Sequence, residues 1–311
     1  MTQVVNQSLL LEQCDQIVIY GASGWMGRSA LDFITALDPI EAKKKVLLIG
    51  SKEGKIESNE ISFEVFNQSE GYSVIRENAI FFNAAFLRRE YLQKLSPNEY
   101  LERNEHISNL ARNFIKEKEP FSFINLSSGA ARDLDQDDGS KSFDEYSKLK
   151  KGLEIEYEIL CKKNNTPMIN CRIFSLSGRY LNEFENLALS SFIKQAVVNN
   201  RIEVRSPLTK RTYLDAIDLA GILLTASTLG KDLSFDSGGT LVTMHELAQV
   251  VAATSRTVSC EIFDGAEAPL DYFGDYEKFN SLASDLGYEL IDMREQVLET
   301  LHAFNLEKKT S

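Results

Sequence analysis

The sequence predicts an α/β protein, a doubly wound parallel sheet with a smaller C-terminal α/β lobe. Three observations carry that expectation. Short apolar runs alternate with helix-length stretches through the N-terminal half. Most of these runs are apolar without interruption, as strands covered on both faces must be. The first run is followed at once by a glycine-rich turn and a helix.

The elements follow in order. Residues 16–20 (QIVIY) are apolar and β-branched and predict a buried strand. After the glycine turn, residues 28–37 read as a helix, stopped at Asp38-Pro39 because a residue before proline is pushed out of the helical region. Residues 45–49 (KVLLI) predict a second strand, 61–66 a weakly alternating third, and 79–83 (AIFFN) a fourth ending at Ala84-Ala85. A long helix is expected over 99–118, a fifth strand over 121–126 ending at Ser127-Ser128, a second long helix over 143–163, and a sixth strand over 168–174. In such sheets ligands gather at the carboxyl ends of the strands. Beyond about residue 175 the pattern mixes, with Pro207, Gly230, Gly238, Gly239 and Pro269 as punctuation. An amphipathic helix over 290–304 closes the chain, DDGS at 137–140 reads as a polar loop, and the Lys308-Lys309 tail as frayed.

Composition narrows the function. The chain has 311 residues, 43% hydrophobic and 26% charged, with a formal net charge of -12. That acidity argues against nucleic acid or an anionic membrane as partner, since phosphates would be repelled. Cys14, Cys161, Cys171 and Cys260 are scattered and there are three histidines, so no zinc site is expected. The thiols read as reduced, the N-terminus lacks a basic signal-peptide region, and no run of 18 apolar residues exists; a cytoplasmic protein is expected.

Three motifs carry chemistry. Gly21-Ala22-Ser23-Gly24-Trp25-Met26-Gly27 follows the first strand. There glycine permits a tight turn, close approach of backbone amides to a pyrophosphate, and close packing of helix on sheet. Tyr146 and Lys150 lie four apart at the start of a helix, hence on one face. An ammonium beside a phenol favours phenolate and makes the tyrosine a usable acid/base. Ser128, at the end of the fifth strand, can bond a reacting oxygen. The histidines His106, His245 and His302 fall on expected helices and read as structural or exposed.

In this order the motifs resemble the extended short-chain dehydrogenase/reductases, the NAD-dependent epimerase/dehydratase family of sugar-nucleotide enzymes, over about residues 16–304. GASGWMG is similar to the family's GxxGxxG. FNAA at 82–85 resembles its double alanine, INLSSGA at 124–130 its catalytic Ser/Thr strand, YSKLK its YxxxK with Glu154 beyond, RIFSLSG at 172–178 its RxFNxxG, and RTYLDAIDLA at 211–220 its RxxxxVxDxA. The resemblance implies a Rossmann-type cofactor domain at 14–175 and a mainly substrate-binding lobe at 176–311, with 211–235 returning to the first. It implies catalytic Ser128, Tyr146 and Lys150. Cofactor contacts would come from Gly21, Ser23, Gly24, Trp25, Met26, Gly27, Asn83, Ala84, Ala85, Asn104, Tyr146 and Lys150. Arg88, Ser128, Ser175 and Arg211 would meet the substrate.

The chain departs from the pattern at Ala131-Arg132-Asp133, where the family has VYG, and at Ser175, where it has asparagine. Gly129-Ala130 stands where dehydratases carry Asp-Glu, which argues against a 4,6-dehydratase. The second strand ends in Gly50-Ser51-Lys52, with no carboxylate before Glu53. Ser51 and Lys52 could hold a 2′-phosphate, so NADP is expected over NAD. The expected function is NADP-dependent reduction of a keto group on a nucleotide-linked sugar. The alternatives are an NAD(P)-dependent nucleotide-sugar epimerase and a non-catalytic NADP-binding regulator. A homodimer through helices 99–118 and 143–163 is expected by the same resemblance.

Overall fold

The structure is a computed structural model describing residues 9–135, 143–181, 187–255 and 261–310; of residues 303 and 305–310 only the backbone is described. The DDGS loop and Cys260 lie outside these ranges. The chain divides into two units, residues 1–173 with 220–235, and residues 174–219 with 236–311. The segment that rejoins the first unit therefore starts at Ala220, and residues 211–219 belong to the second.

The first unit holds an eight-stranded sheet. Its strands are β1 (Gln16–Tyr20), β2 (Val46–Ile49), β3 (Gly54–Ser58), β4 (Ile61–Phe66), β5 (Ala79–Asn83), β6 (Ser122–Ser128), β7 (Met168–Ile173) and, far along the chain, β11 (Leu233–Asp236). The last of these edges the sheet beside β7, and the order continues β6, β5, β1, β2, β4, β3. β1 pairs in parallel with both β2 and β5, and β5–β6, β6–β7 and β2–β4 are parallel too. The sheet is mixed at its far edge, where β3 runs antiparallel to β4. Asn59 and Glu60 join these two with φ of 46° and 65°, the left-handed pair of a tight hairpin. The hairpin edge is tied to the sheet's first helix, α1 (Trp25–Leu37), where the Ser58 hydroxyl donates to Asp32 at 2.6 Å and meets Thr35 at 2.7 Å.

Further helices of this unit include α2 (Pro39–Lys45), α3 (Gln68–Ser73), α4 (Pro97–Glu117), α5 (Gly129–Asp135), α6 (Glu145–Lys163) and most of α8 (Ala216–Ser227). The two long ones begin where their caps dictate. Ser96 and Glu99 form a reciprocal capping box ahead of α4, with Pro97 at the first helical position. Asp144 caps α6 by accepting from the Ser147 amide at 3.0 Å. Their apolar faces bury Phe114, Ile115, Leu153 and Tyr157 against Val18, Phe81 and Phe123 of the sheet. Short α2, α3 and α5 had no periodic signature to predict them.

One polar feature crosses this core. Asn83, Asn125 and Asn170 face each other in register on β5, β6 and β7. Asn83 donates to Asn125 at 3.4 Å and Asn125 to Asn170 at 2.8 Å, all three being buried. Asn125 is satisfied on both sides, while the Asn83 Oδ1 is buried with no hydrogen-bond partner among the described residues.

The second unit carries β8 (Ser175–Ser177), α7 (Ala188–Asn199), β9 (Arg201–Val204), β10 (Lys210–Asp215), β12 (Thr240–Thr243), α9 (Met244–Thr254), β13 (Glu261–Asp264), α10 (Tyr276–Asp285) and α11 (Met293–Thr310). β10 is central to a small sheet, parallel to β8 and antiparallel to β12. Its core gathers Leu189, Ile193, Ile202, Tyr213, Leu247, Val251 and Val297. No described helix of either unit is long and apolar enough to cross a membrane.

Candidate active site

The glycine turn is built as the sequence requires. Gly21 has φ +90°, and its amide donates to the Ile49 carbonyl at 2.9 Å. A Cβ on Gly21 would stand 2.7 Å from both Ala84 C and Ala85 N, so the turn packs directly on the double alanine after β5. A Cβ on Gly27 would strike the Gly21 carbonyl. Gly24 is the N-cap of α1 in extended conformation, with no side-chain cap and no acidic residue in the first turn. The amides opening α1 are thus left for an anion. Ser23 is exposed and Trp25 half-buried beside them, while Met26 is turned into the core. The Trp25 indole Nε1 is buried and, among the described residues, has no hydrogen-bond partner.

Next to the turn lies a cavity of about 560 Å³ at the carboxyl ends of β2 and β4, lined by Gly50, Ser51, Asn67, Gln68, Leu87, Arg103 and His106 among others. Ser51 and Lys52 are exposed at the end of β2. Glu53, the first carboxylate after that strand, accepts from Asn67 Nδ2 at 2.6 Å. Gln68 donates to the Tyr20 hydroxyl at 2.6 Å, which in turn donates to the Ile107 carbonyl at 3.0 Å. The cradle without Cβ atoms, the uncapped helix start and the cavity beside Ser51 together fit a dinucleotide. Sequence reasoning missed Asn67 and Gln68, although their position just past β4 was signal enough.

Two expected contacts are corrected. Asn104 is fully buried. Its Oδ1 accepts from the Leu87 amide at 2.9 Å and its Nδ2 donates to the Tyr100 carbonyl at 3.1 Å. It fixes the loop after the double alanine and has no surface left for a ligand. The Asn83 side chain likewise belongs to the asparagine ladder inside the sheet. Both arginines on that loop are exposed, and Arg89 pairs with Asp144 at 2.5 Å.

At the end of β6, the Ser128 Oγ accepts from the Ala130 amide at 3.2 Å. Lys150 is half-buried on α6, and its Nζ donates to the Leu126 carbonyl at 2.8 Å. The same ammonium lies 3.8 Å from the centre of the Phe86 ring. Tyr146, one turn earlier on α6, meets that ring edge-on at 5.7 Å. Burial pulls Lys150 from its ordinary 10.5 to about 7, with the Glu154 charge working the other way. Phe86 was not foreseen, since nothing in periodicity distinguishes it from any aromatic of the core.

Glu154 anchors this helix. Its carboxylate, 6% exposed, takes a two-pronged bond from Arg172 on β7 at 2.8 and 2.7 Å. Burial alone would raise its pKa, but the Arg172 guanidinium outweighs it and holds the carboxyl below its usual range. Arg172 also reaches Asp135 on α5 at 2.7 Å.

In the second unit, Ser175 begins β8 opposite Tyr213 of β10. Arg211 lies two residues before Tyr213 on β10, with its Nε buried and, among the described residues, lacking a partner.

The sequence model of the NAD dependent epimerase/dehydratase family matches residues 17–234. The chain belongs to that family, whose class comprises NAD(P)-dependent sugar-nucleotide enzymes. No curated protein matches the chain significantly in sequence. Solved structures resemble it end to end. A UDP-N-acetylglucosamine 4-epimerase from Methanobrevibacter ruminantium superposes with a TM-score of 0.72 at 14% identity, covering 95% of this chain and 99% of that one. A UDP-glucose 4-epimerase from Thermotoga maritima gives 0.69 at 15% identity over 94% and 99%. A UDP-glucose-4-epimerase from Stenotrophomonas maltophila, with bound NAD and formylated UDP-arabinopyranose, gives 0.73 at 13% identity over 95% and 99%.

The lowered pKa of Lys150 sets a stability dependence. Between about 7 and 10.5 the unfolded chain keeps a proton that the folded chain releases, so stability from this group rises with pH across that window. Below it the full cost of the buried charge is present. Lys150→Met should raise the melting temperature near pH ~6 by a few degrees, about 1–2 kcal/mol, a gain that shrinks toward pH ~10. A lower melting temperature near pH ~6 would show that the ammonium is not desolvated.

Proposed function

We propose that the chain is an NAD(P)-dependent sugar-nucleotide epimerase working through Tyr146, Lys150 and Ser128. The observation that supports the chemistry is the pairing of Tyr146 with a desolvated Lys150 on one face of α6, at the end of the strand that carries Ser128. Tyr146 Oη takes the proton of a sugar hydroxyl and returns it to the carbonyl oxygen. Ser128 Oγ bonds the same oxygen and orients it. Lys150 favours the phenolate through its charge and offers an N–H to the nicotinamide ribose. The cofactor, when bound, supplies reversible hydride uptake. Gly21, Gly24 and the amides opening α1 would hold its pyrophosphate, beside Ser23 and Trp25. Arg211, whose Nε is buried with no hydrogen-bond partner among the described residues, is proposed to take a substrate phosphate, and Arg88 and Ser175 are also proposed substrate contacts.

The full-length likeness to sugar-nucleotide 4-epimerases favours epimerisation over the net reduction that the sequence put first. One observation keeps the NADP-dependent reductase as a second reading. The end of β2 offers Ser51 and Lys52, and the Glu53 carboxylate is already engaged by Asn67. We further propose that two copies pair through α4 and α6. On α6, Ile155 and Ile159 stand one turn apart and 48% and 61% exposed. Buried thiols at Cys14, Cys161 and Cys171 suit a reducing cytoplasm.

Tyr146→Phe should cut kcat by about 10²–10⁴ while dinucleotide affinity stays within a few-fold; undiminished turnover of UDP-sugars by that variant would sink the mechanism. Protein purified with tightly held NAD, identified by absorbance and mass spectrometry, is the epimerase outcome. An empty site that binds NADPH well above NADH in calorimetry would instead establish the reductase. Light scattering at micromolar concentration should give twice the chain mass, and Ile159→Glu should halve it; a wild-type monomer refutes the pairing.

A further inference from the structure

We infer that Phe86 is a positioning residue for the Tyr146–Lys150 pair, holding the ammonium against its ring face and bracing Tyr146 with its edge. This rests on the reading of that pair as the acid/base machinery. Three contacts support it. Lys150 Nζ lies 3.8 Å from the ring centre, well inside the range where a ring quadrupole attracts a cation. The Tyr146 ring meets the Phe86 ring at 5.7 Å with planes inclined by 77°, a favourable aromatic geometry. The backbone next to the ring is also held, because the Leu87 amide donates to Asn104 Oδ1 at 2.9 Å and the Leu87 carbonyl accepts from the Tyr100 hydroxyl at 2.7 Å.

The surroundings explain why a ring is useful here. Lys150 has one carbonyl partner, Leu126 on β6. The titratable groups near it on α6 are Tyr146 and Glu154, and the Glu154 carboxylate is bound by Arg172 of β7. The Phe86 loop carries Arg88, Arg89, which is paired with Asp144, and Glu90. A carboxylate in place of Phe86 would hold the ammonium too, but it would also oppose the phenolate beside it. An aromatic face attracts the cation and places no net charge against Tyr146. Phe86 thus favours the protonated form of Lys150 against the pull of burial and aims it, without working against the anion that the reaction needs.

The test measures Lys150 directly and needs no turnover. Competitive acylation of the whole protein across pH, read by fragment-ion mass spectrometry, gives the midpoint of this one lysine. Phe86→Leu should lower that midpoint by about one pH unit, and Phe86→Tyr should restore it to within a few tenths. Trifluorinated phenylalanine at position 86 keeps the shape while removing most of the quadrupole, and it should lower the midpoint like leucine; it carries the test if Phe86→Leu does not fold. An unchanged midpoint in folded trifluorinated protein overturns the assignment. If instead the midpoint moves and Tyr146→Phe retains full turnover, Phe86 holds Lys150 as inferred, and the acid/base reading is what fails.

Discussion

The arrangement at the carboxyl edge of the first sheet depends on how α6 is held, and the Glu154–Arg172 pair does most of that holding. It joins the helix to β7 through two parallel bonds in a largely buried setting, and Arg172 carries the link on to α5 through Asp135. Two buried charges repay their desolvation only when geometry and further partners are good. What the pair supplies is orientation. Glu154 lies one turn beyond Lys150 and two beyond Tyr146, so a helix fixed at Glu154 presents both residues past the end of β6.

A second chain of constraints runs from the glycine turn. Gly21 can pack on Ala84 and Ala85 only because it lacks a side chain. The double alanine delivers the chain into a loop whose every turn is tied. Leu87 is bonded to α4 at both its amide and its carbonyl, Phe86 lies against α6, and Arg89 reaches the α6 cap at Asp144. The cofactor cradle and the acid/base pair are therefore connected through five residues of backbone, and a shift in one is felt by the other.

The sequence revealed the parts of this design that repeat a physical pattern. Strands β1, β2, β5 and β6 were legible from unbroken apolar runs, α4 and α6 from their length and periodicity, and the glycine turn from its place between strand and helix. Less was visible wherever a side chain turned inward against its type. Asn104 and Asn83 looked like ligand contacts because polar residues in such motifs commonly are, yet each spends its amide inside the protein. Phe86 gave no signal in the sequence, yet its ring lies against Lys150 and Tyr146. Helix α5 directly after Ser128 left no trace, since seven residues are too few to show a period. Orientation is set by tertiary neighbours, and a linear pattern does not encode it.

The asparagine ladder has an evolutionary consequence. Asn125 accepts from one neighbour and donates to the other, so its loss strands a donor on β5 and an acceptor on β7. The outer residues also reach beyond the ladder, Asn170 to Glu154 and Asn83 to Tyr157, so replacing either one disturbs a second buried partner as well. The effects of the single changes therefore cannot be added, because each depends on what stands at the other two positions. The three positions form one epistatic unit that extends to Tyr157 and Glu154: what is tolerated at any of them depends on what stands at the others.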